Sequence, residues 1–278
     1  MNRRRTTAVI KGAGDLATGV AYRLYQCGFD VIMTEISQPL VVRRKVAFAE
    51  AVHDGTATIE GVTAMLAFSI GHASDQLNSR IIPILIDPEA KVIGILRPQV
   101  VVDARMAKRN LGTAKNEAPL VIGLGPGFIA GKDVHAVIET CRGHRLGRVI
   151  YSGGAIPNTG NPGEVGGFST ERLLKAPVEG MVMPTRSIGE QVEKGEIVAY
   201  VENTPVHAQI SGLVRGMIRE GVRVPQGTKI GDIDPRKDAE YDTISDKALA
   251  VAGGVLEAVY NSISPAKTSC LTEKVVPG

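Results

Sequence analysis

The chain has 278 residues, of which 44% are hydrophobic and 22% charged, so it can bury the core of one large domain or two smaller ones and is not an intrinsically disordered chain. Its formal net charge of +3 is too small to predict nucleic acid or a membrane as a partner. The 32 glycines, against five Phe, six Tyr and no Trp, indicate a backbone bent around small ligands rather than an aromatic platform for stacked bases.

Features that would indicate a compartment are sparse. No uncharged apolar run reaches the ~18 residues that a membrane-spanning helix needs. Cys27, Cys141 and Cys270 are far apart and form no Cys-x-x-Cys pair, so neither a disulfide framework nor a zinc knuckle is expected. We therefore expect a cytoplasmic protein whose partners include no nucleic acid, membrane or metal ion.

The first 36 residues predict a βαβ unit. Residues 6–10 form a β-rich run that ends in Lys-Gly-Ala-Gly, and residues 15–26 carry Leu16, Val20 and Leu24 at helical spacing. A second strand is predicted over 30–36, with Glu35 near its carboxyl end. This opening is typical of an α/β domain with a Rossmann-like parallel sheet.

The remainder of the first half is predicted to continue this alternation. A helix is expected over 40–52, because Ser37 provides an N-cap and Pro39 a first-turn residue. Short apolar runs predict strands over 81–86, 92–96, 100–103 and 120–123. A helix over 134–140 and a strand over 148–151 complete the sheet domain, which we assign to residues 1–168.

A glycine- and proline-rich segment after Gly153 is interpreted as a linker or as a loop over a ligand. The second predicted domain, residues 169–236, contains a repeat with an offset of 32 residues. Six residues of the first copy recur in the second: Ala176, Gly180, Val182, Gly189, Val192 and Gly195 as Ala208, Gly212, Val214, Gly221, Val224 and Gly227. The two copies are expected to form a small all-β barrel-sandwich hybrid domain of the biotinyl/lipoyl type, with pseudo-twofold symmetry.

Biotinyl and lipoyl modules carry a modified lysine between their two halves. The corresponding stretch, 201–207, contains no lysine, so attachment of biotin or lipoate is not expected. The last predicted region, residues 237–278, holds a C-terminal helix over 245–260 and a frayed tail from Ser264.

The turn after the first strand matches the dinucleotide-binding pattern, with Ala17 in place of its third glycine. Gly12 permits the tight turn, Gly14 lets a pyrophosphate approach the main chain, and the amides at the helix start face the anion. Glu35 is placed to accept hydrogen bonds from ribose hydroxyls, which favours NAD-like over NADP-like ligands. The alternative is a structural βα turn without a ligand.

Two pairs of charged residues are further candidates for ligand binding. Arg43 and Arg44 either hold an anion bidentately at the carboxyl edge of the sheet or lie on a solvated helix face. Asp103 and Arg105 follow a strand, where α/β proteins place active-site residues, or they pair only with each other.

Gly125 and Gly127 belong to a second glycine loop. Its amides offer a nest for a phosphate or carboxylate, unless the loop is a purely structural turn. A Walker ATPase is excluded, because Pro126 stands where glycine is needed and Asp133 replaces the magnesium-binding hydroxyl.

Four potential metal ligands lie close together in the sequence. His135, Glu139, Cys141 and His144 match no standard zinc spacing, although His135 and Glu139 are predicted one turn apart on a helix. We interpret them as ordinary helix and loop residues. Cys141 is kept only as a candidate sulfur or selenium acceptor.

Motifs spread over residues 7–260 resemble the YqeB family. They are IKGAGDLATGVAYRL, PLVVRRKVAFAEAV, LRPQVVVDARMAKRN, GLGPGF, ETCRGHRLGRVI, KIGDIDPR and ISDKALAVAGGVLEA. The family is named for accessory proteins of selenium-dependent molybdenum hydroxylases, enzymes related to xanthine and purine dehydrogenases. The resemblance implies a role in maturing such an enzyme, and a Rossmann-like part similar to the chaperones that mature molybdenum cofactor for xanthine dehydrogenase.

The family motifs contain most of the candidate site residues. They include Gly12, Gly14, Asp15, Arg43, Arg44, Asp103, Arg105, Gly125, Gly127, Glu139, Arg142, Asp234 and Arg236.

The leading hypothesis is an accessory protein for a molybdenum hydroxylase of the xanthine dehydrogenase type. It would bind a small phosphate-bearing ligand, either molybdopterin or an NAD-like nucleotide. Two alternatives stay open: an NAD-dependent oxidoreductase, which the glycine turn and Glu35 favour, and a docking scaffold without a small-molecule ligand. Catalytic residues and a homo-oligomeric state are left unassigned.

Overall fold

The computed structural model describes residues 5–158, 160 and 163–263. The fold is α/β, with one nine-stranded mixed sheet, two four-stranded antiparallel sheets and a C-terminal helix. The predicted frayed tail from Ser264 and the third cysteine, Cys270, lie outside the described residues. In the described part of the chain, no helix combines the length and apolar character needed to cross a membrane.

The large sheet is mostly parallel. Its strands are β1 (Thr7–Lys11), β2 (Asp30–Glu35), β3 (Thr56–Ile59), β4 (Val62–Ala67), β5 (Ile82–Ile86), β6 (Val100–Asp103), β7 (Leu120–Leu124), β8 (Ala136–Ile138) and β9 (Val149–Ile150). They are ordered β3-β4-β5-β2-β1-β6-β7-β8-β9, and only the β3–β4 and β8–β9 pairs are antiparallel. The chain therefore leaves β1 towards one edge of the sheet and returns to build the other edge from β6. In open α/β sheets, the crevice beyond the strand ends at such a reversal is where ligands bind.

Helices cover both faces of this sheet. They are α1 (Asp15–Gln26), α2 (Ala51–Asp54), α3 (Ile70–Asn78), α4 (Val92–Leu96) and α5 (Asp246–Ile263). Since successive strand residues point to opposite faces, Ala8 and Ile10 belong to the core with α1 and α5, whereas Val9 belongs to the core with α3 and α4. The strands are buried on both faces, which explains their unbroken apolar runs.

Helix α5 packs along α1 at close range. The two helices approach at Gly19, where a Cβ atom would lie 2.8 Å from Ala248 Cβ. The last helix of the described chain therefore completes the core of the first sheet.

The repeat forms the two small sheets. Their strands are β10 (Leu173–Lys175), β11 (Gly180–Pro184), β12 (Gln191–Val192), β13 (Ile197–Val201), β14 (Thr204–His207), β15 (Gly212–Met217), β16 (Arg223–Val224) and β17 (Lys229–Asp234). One sheet has the order β10-β17-β15-β12 and the other β14-β13-β11-β16. They enclose their own apolar core. We call the first the cleft sheet, because it faces the cleft described below, and the second the distal sheet.

Most predicted strands and the predicted helices α1 and α5 are confirmed, but the helix over 40–52 is wrong. That segment contains two 3-10 turns, Arg44–Val46 and Phe48–Glu50, followed by the short α2. The N–H groups of Phe48 and Ala49 donate to Thr18 Oγ1 and Ala13 O, both at 2.9 Å, instead of to carbonyls one turn back. Tertiary contacts thus replace the helical hydrogen bonds.

The strand expected over 92–96 is also wrong. These residues form the one-turn helix α4, whose Val92 N–H donates to Asp87 Oδ2 at 2.9 Å. A five-residue apolar run is too short to reveal whether its period is that of a strand or of a helix.

The helix expected over 134–140 is the third error. Residues Ala136–Ile138 form β8, parallel to β7. Apolar side chains point to both faces of the sheet here, a pattern that a buried helix and a buried strand share. The hairpin β3–β4 and helix α3 carried no prediction.

Candidate functional site

A cleft of about 890 Å³ lies between the carboxyl ends of the parallel strands and the cleft sheet. One wall is built by loops after β1 and β6, at the reversal of the strand order. The opposite wall belongs to the second layer, by which we mean the two small sheets and the turn before β10, whereas the large sheet and its helices are the α/β layer. This wall is built by Arg172, Arg215, Lys229 and Asp232, and the first turn of α5 adds Lys247. The cleft therefore needs residues from all three parts of the chain.

The glycine turn after β1 lies at the floor of the cleft. Gly12 has φ +93°, and a Cβ atom there would lie 3.3 Å from the Arg105 backbone, so a side chain would strain the turn and crowd Arg105. Gly14 is the N-cap of α1. The turn thus has the backbone form that the dinucleotide pattern predicts.

The Glu35 carboxylate occupies part of this turn. It accepts hydrogen bonds from Ala13 N–H at 3.0 Å and from Ile36 N–H at 2.7 Å. Burial raises the pKa of Glu35, and these two N–H donors offset the effect only in part. One amide that the pattern assigns to a pyrophosphate is therefore already bonded to the protein.

Asp15 and Arg43 form an ion pair at the start of α1. Arg43 is only 8% exposed, and its Nη1 lies 3.3 Å from Asp15 Oδ2 while Nη2 donates to the Thr243 carbonyl at 3.3 Å. Two buried atoms of the pair, Asp15 Oδ1 and Arg43 Nε, have no hydrogen-bond partner among the described residues. Both residues line the cleft.

Arg44, although adjacent to Arg43, lies outside the cleft lining. Its Nε donates to the Met217 carbonyl at 2.8 Å, and its Nη1 lies 3.2 Å from Glu50 Oε2. The same Glu50 oxygen accepts from Arg219 at 2.9 Å, and Arg219 also pairs with Asp54. Arg44 therefore links the α/β layer to the cleft sheet and does not face the cleft.

Asp103 and Arg105 pair with each other, as one of the two alternatives predicts. Arg105 Nε donates to Asp103 Oδ1 at 3.1 Å, and Thr113 Oγ1 donates to Oδ2 at 2.7 Å. Burial alone would raise the pKa of Asp103, but these hydrogen bonds outweigh it and lower the pKa. Asp103 lies beneath the cleft, and Arg105 lines it. The pair Asp234 and Arg236 has the same geometry after β17.

Gly125 and Gly127 do not line the cleft, and close packing explains both. A Cβ atom on Gly125 would lie 2.5 Å from Thr140 Oγ1, and one on Gly127 would lie 2.6 Å from the Arg109 amide nitrogen. Their positive φ angles, +71° and +110°, also favour glycine.

The residues around Cys141 support the edge of the cleft. The buried Glu139 accepts from Cys141 N–H at 2.7 Å and from Ile156 N–H at 2.8 Å, and so fixes two loops. The predicted helical pairing of His135 with Glu139 is wrong, because the segment between them is β8. Cys141 is an exposed free thiol in the cleft lining. Within the described ranges, no three His, Cys, Asp or Glu side chains are grouped to hold a metal ion.

Arg142 lies at the α5 end of the cleft. It binds both oxygens of Asp246, at 2.8 and 3.0 Å, and this hydrogen bonding lowers the pKa of Asp246 to about 2.

The sequence analysis missed the residues of the second layer and of α5. These are Arg172, Arg215, Lys229, Asp232 and Lys247. Arg172 is 6% exposed and donates to Asp232 Oδ1 at 3.1 Å, while Lys229 Nζ lies 3.6 Å from Asp232 Oδ2. The repeat offers the only sequence signal, since it aligns Arg215 with Met183 and Lys229 with Ile197.

Positive charge is in excess in this part of the cleft. Four cations, Arg43, Arg172, Arg215 and Lys229, surround two carboxylates, Asp15 and Asp232. Burial lowers the pKa of Arg215, and repulsion from Arg43 lowers it further. Burial likewise lowers the pKa of Lys247, with repulsion from Arg142 next in size. A bound anion would raise the pKa of both side chains again.

The fold and the site define an α/β protein with a cationic cleft between the large sheet and the cleft sheet. The chain is a homologue of the uncharacterized protein YqeB from Escherichia coli K12, with 51% identity over 252 residues. The matched region covers 90% of this chain and 47% of the relative, so the chain spans about half the length of that curated relative. No family model matches the chain.

Solved structures give only weak similarities. An aspartoacylase family protein from Mesorhizobium loti shares 13% identity at a TM-score of 0.29, with 84% of this chain and 86% of that chain covered. The ectoine utilization protein EutE (DoeB) from Ruegeria pomeroyi shares 10% identity at a TM-score of 0.24, with 84% and 87% covered. Similarities this low assign neither a fold family nor an activity.

Proposed function

We propose that the chain binds a small phosphate-bearing ligand in the cleft and acts as an accessory protein in the maturation of a selenium-dependent molybdenum hydroxylase. The observation that carries the ligand proposal is the surplus of cations around Asp15 and Asp232 at the reversal point of a parallel sheet. Three buried guanidinium nitrogens, Arg43 Nε, Arg172 Nε and Arg215 Nε, have no hydrogen-bond partner among the described residues and could donate to a ligand.

The two candidate ligand classes are molybdopterin and an NAD-like nucleotide. Both carry phosphate, which guanidinium groups bind through charge-assisted hydrogen bonds. Apolar side chains such as Ile36, Leu40 and Leu111 also line the cleft and are suited to the flat ring of either ligand. In this proposal the strand order β5-β2-β1-β6-β7-β8 is a Rossmann-like core, and the two small sheets are a barrel-sandwich hybrid of the biotinyl/lipoyl type.

The hydroxylase part of the proposal depends on the motif resemblance to the YqeB family. Those motifs include Asp15, Arg43 and Arg142, which meet at the cleft although they are far apart in sequence. A molybdenum hydroxylase of the xanthine dehydrogenase type is accordingly the proposed protein partner.

Thermal unfolding of the purified chain tests the ligand. Scans with NAD, NADP, ATP, CTP and a molybdopterin preparation should show a rise of a few degrees for one class, because a ligand at ~100 times its Kd stabilises by ~2.7 kcal/mol. A shift with the pterin preparation alone would support cofactor maturation. A shift with NAD that is lost in Glu35→Ala would support the oxidoreductase instead, and no shift would leave the docking scaffold.

Deletion of the gene in its host tests the pathway. Hydroxylase activity should be lost while hydroxylase protein stays at its normal level. Unchanged activity would refute the accessory role and leave the ligand proposal standing.

A further inference from the structure

Arg215 has an unusual position in the cleft sheet. Its neighbours Val214 and Gly216 pair with Ile233 and Asp232 on β17, but the register shifts between them and leaves Arg215 unpaired in a β-bulge. Bulges bend a strand and re-aim a side chain, and they are frequent beside active sites. The repeat copy of this residue, Met183, pairs regularly with Tyr200 in the distal sheet.

The Arg215 guanidinium is poorly satisfied for a buried charge. Its side chain is only 13% exposed, and its closest carboxylate, Asp234 Oδ2, lies 3.7 Å away. Asp234 is already engaged by Arg236 at 2.7 Å. In the ranges that the structure describes, the guanidinium of Arg215 makes no hydrogen bond, and Nε is fully buried without a partner. Leaving the buried Nε donor unsatisfied is costly, and a ligand at this position could accept its hydrogen bond.

Three other cations complete the binding site for that ligand. Arg43 and Arg172, both more than nine-tenths buried, each have an unpartnered Nε, and Lys229 lies beside Arg172 across Asp232. With Arg236 included, these cations leave a surplus of two positive charges over the three carboxylates Asp15, Asp232 and Asp234. A phosphate monoester carries about −1.5 to −2 at pH 7, whereas each phosphate of a diester carries about −1.

We propose that Arg43, Arg172, Arg215 and Lys229 form a binding site, here called the seat, for a terminal phosphate monoester. This inference rests on the proposed function, which says only that the ligand carries phosphate. The glycine turn is not the principal anion contact, because Glu35 holds the Ala13 amide. The unpartnered Asp15 Oδ1 accepts a hydroxyl or N–H of the same ligand.

Calorimetric titration of the full chain with inorganic phosphate, AMP and cyclic AMP tests this seat. AMP and cyclic AMP share a base and a sugar but differ in having a monoester or a diester. We expect phosphate and AMP to bind, with cyclic AMP at least about tenfold weaker. Equal affinity for the two nucleotides, or no binding of phosphate, would overturn the proposal.

Arg215→Met and Lys229→Ile introduce the residues found at the repeat-equivalent positions. Losing a charge-assisted hydrogen bond should weaken phosphate about tenfold to a hundredfold in Arg215→Met. The matched control Arg223→Met removes an exposed arginine of the distal sheet and should bind as the parent chain does. Lys229 is half-exposed, so Lys229→Ile serves as the second test if Arg215→Met fails to fold. Parent-like affinity for phosphate in the folded variants would refute the seat. Hydroxylase activity that stays unchanged when the gene is deleted would refute only the accessory role.

Discussion

The cleft sheet and the distal sheet have the same strand order, and β15, β16 and β17 begin 32 residues after β11, β12 and β13. Each sheet also borrows one short strand from the other copy, since β12 pairs with β15 and β16 pairs with β11. The two sheets nevertheless differ in chemistry. Arg215, Lys229 and Asp232 of the cleft sheet align with Met183, Ile197 and Tyr200 of the distal sheet.

The same backbone arrangement therefore carries two different sets of side chains. In the distal sheet, Met183 is 52% exposed and pairs regularly with Tyr200, and the register shift of that sheet lies elsewhere, between Ile197 and Ala199. The cleft sheet adds one bulge and a few charges, and it does so on the side that faces the α/β layer. The chemical difference between the two sheets therefore lies in side chains and in the additional bulge at Arg215, which makes the distal sheet an internal control.

The largest difference is expected at the contact between the layers. Gly216 of the cleft sheet approaches the 40–43 loop so closely that a Cβ atom would lie 2.7 Å from Val42 Cγ1 and 2.9 Å from Val42 O. Gly216→Ala should lower the free energy of unfolding by about 1–3 kcal/mol, since overpacking displaces the backbone. Chemical denaturation measures this, and phosphate binding should weaken as Arg43 moves.

Gly180→Ala is the control on the distal sheet. The three atoms nearest to its Cβ would belong to the half-exposed Glu202 side chain and none to the backbone, so we expect a smaller loss of stability. Equal destabilisation by the two substitutions would contradict the idea that the layers are joined tightly at Gly216.

Ion pairs should also differ between the two sides. Glu50 is almost buried and binds both Arg44 and Arg219, so Glu50→Gln should cost about 1–2 kcal/mol by leaving two guanidinium groups short of an acceptor. Glu179→Gln affects a pair with Arg223 in which both side chains are more than 60% exposed, and should change stability by less than about 0.5 kcal/mol. Denaturant midpoints of the two variants and of the parent chain provide the measurement.

Acid should weaken the α5 wall of the cleft. Hydrogen bonding to Arg142 lowers the pKa of Asp246 from 3.8 to about 2. A carboxyl with a depressed folded-state pKa stabilises the fold above its unfolded pKa, and this contribution is lost as the pH falls from about 4 towards 2. Because Asp246 is largely exposed, its full contribution should stay below about 1 kcal/mol. The stability gap between the parent chain and Asp246→Asn should therefore be present at pH 7 and vanish near pH 2; a constant gap would contradict the assignment.

The smallest effect is expected from Met183→Arg. This variant places an arginine in the distal sheet at the position equivalent to Arg215, but without the bulge or neighbouring cations. We expect stability within about 0.5 kcal/mol of the parent chain and no second phosphate site. Two binding sites in a calorimetric titration would show that charge alone, without the bulge, creates the seat.

The sequence predicts much of the fold because local signals agree with it. The βα turn at Gly12, helix α5 and the 32-residue repeat are encoded by periodic apolar residues and by glycine spacing. The segments 40–52 and 134–140 are not helical, because their backbone groups bond to distant partners such as Thr18, Ala13 and Val121. The 92–96 run is too short to reveal its period.

The candidate site is predictable only in its first layer. Gly12, Gly14, Asp15, Glu35, Arg43 and Arg105 all line the cleft, since strand ends of a parallel sheet meet at one edge. Arg172, Arg215 and Lys247 belong to elements whose position against this edge no local pattern encodes. Their roles appear only when the layers are brought together.

Helix α5 is synthesised long after the strands that it covers. The β7–β8 region that α5 covers is made early, and 108 residues separate Ile138 from Asp246. At ~5–20 residues per second, a ribosome needs roughly 5–20 s to bridge that interval. During this time one apolar face of the nascent sheet lacks its cover and is a natural binding surface for chaperones. A chain shortened before α5 should accordingly be captured by them or aggregate.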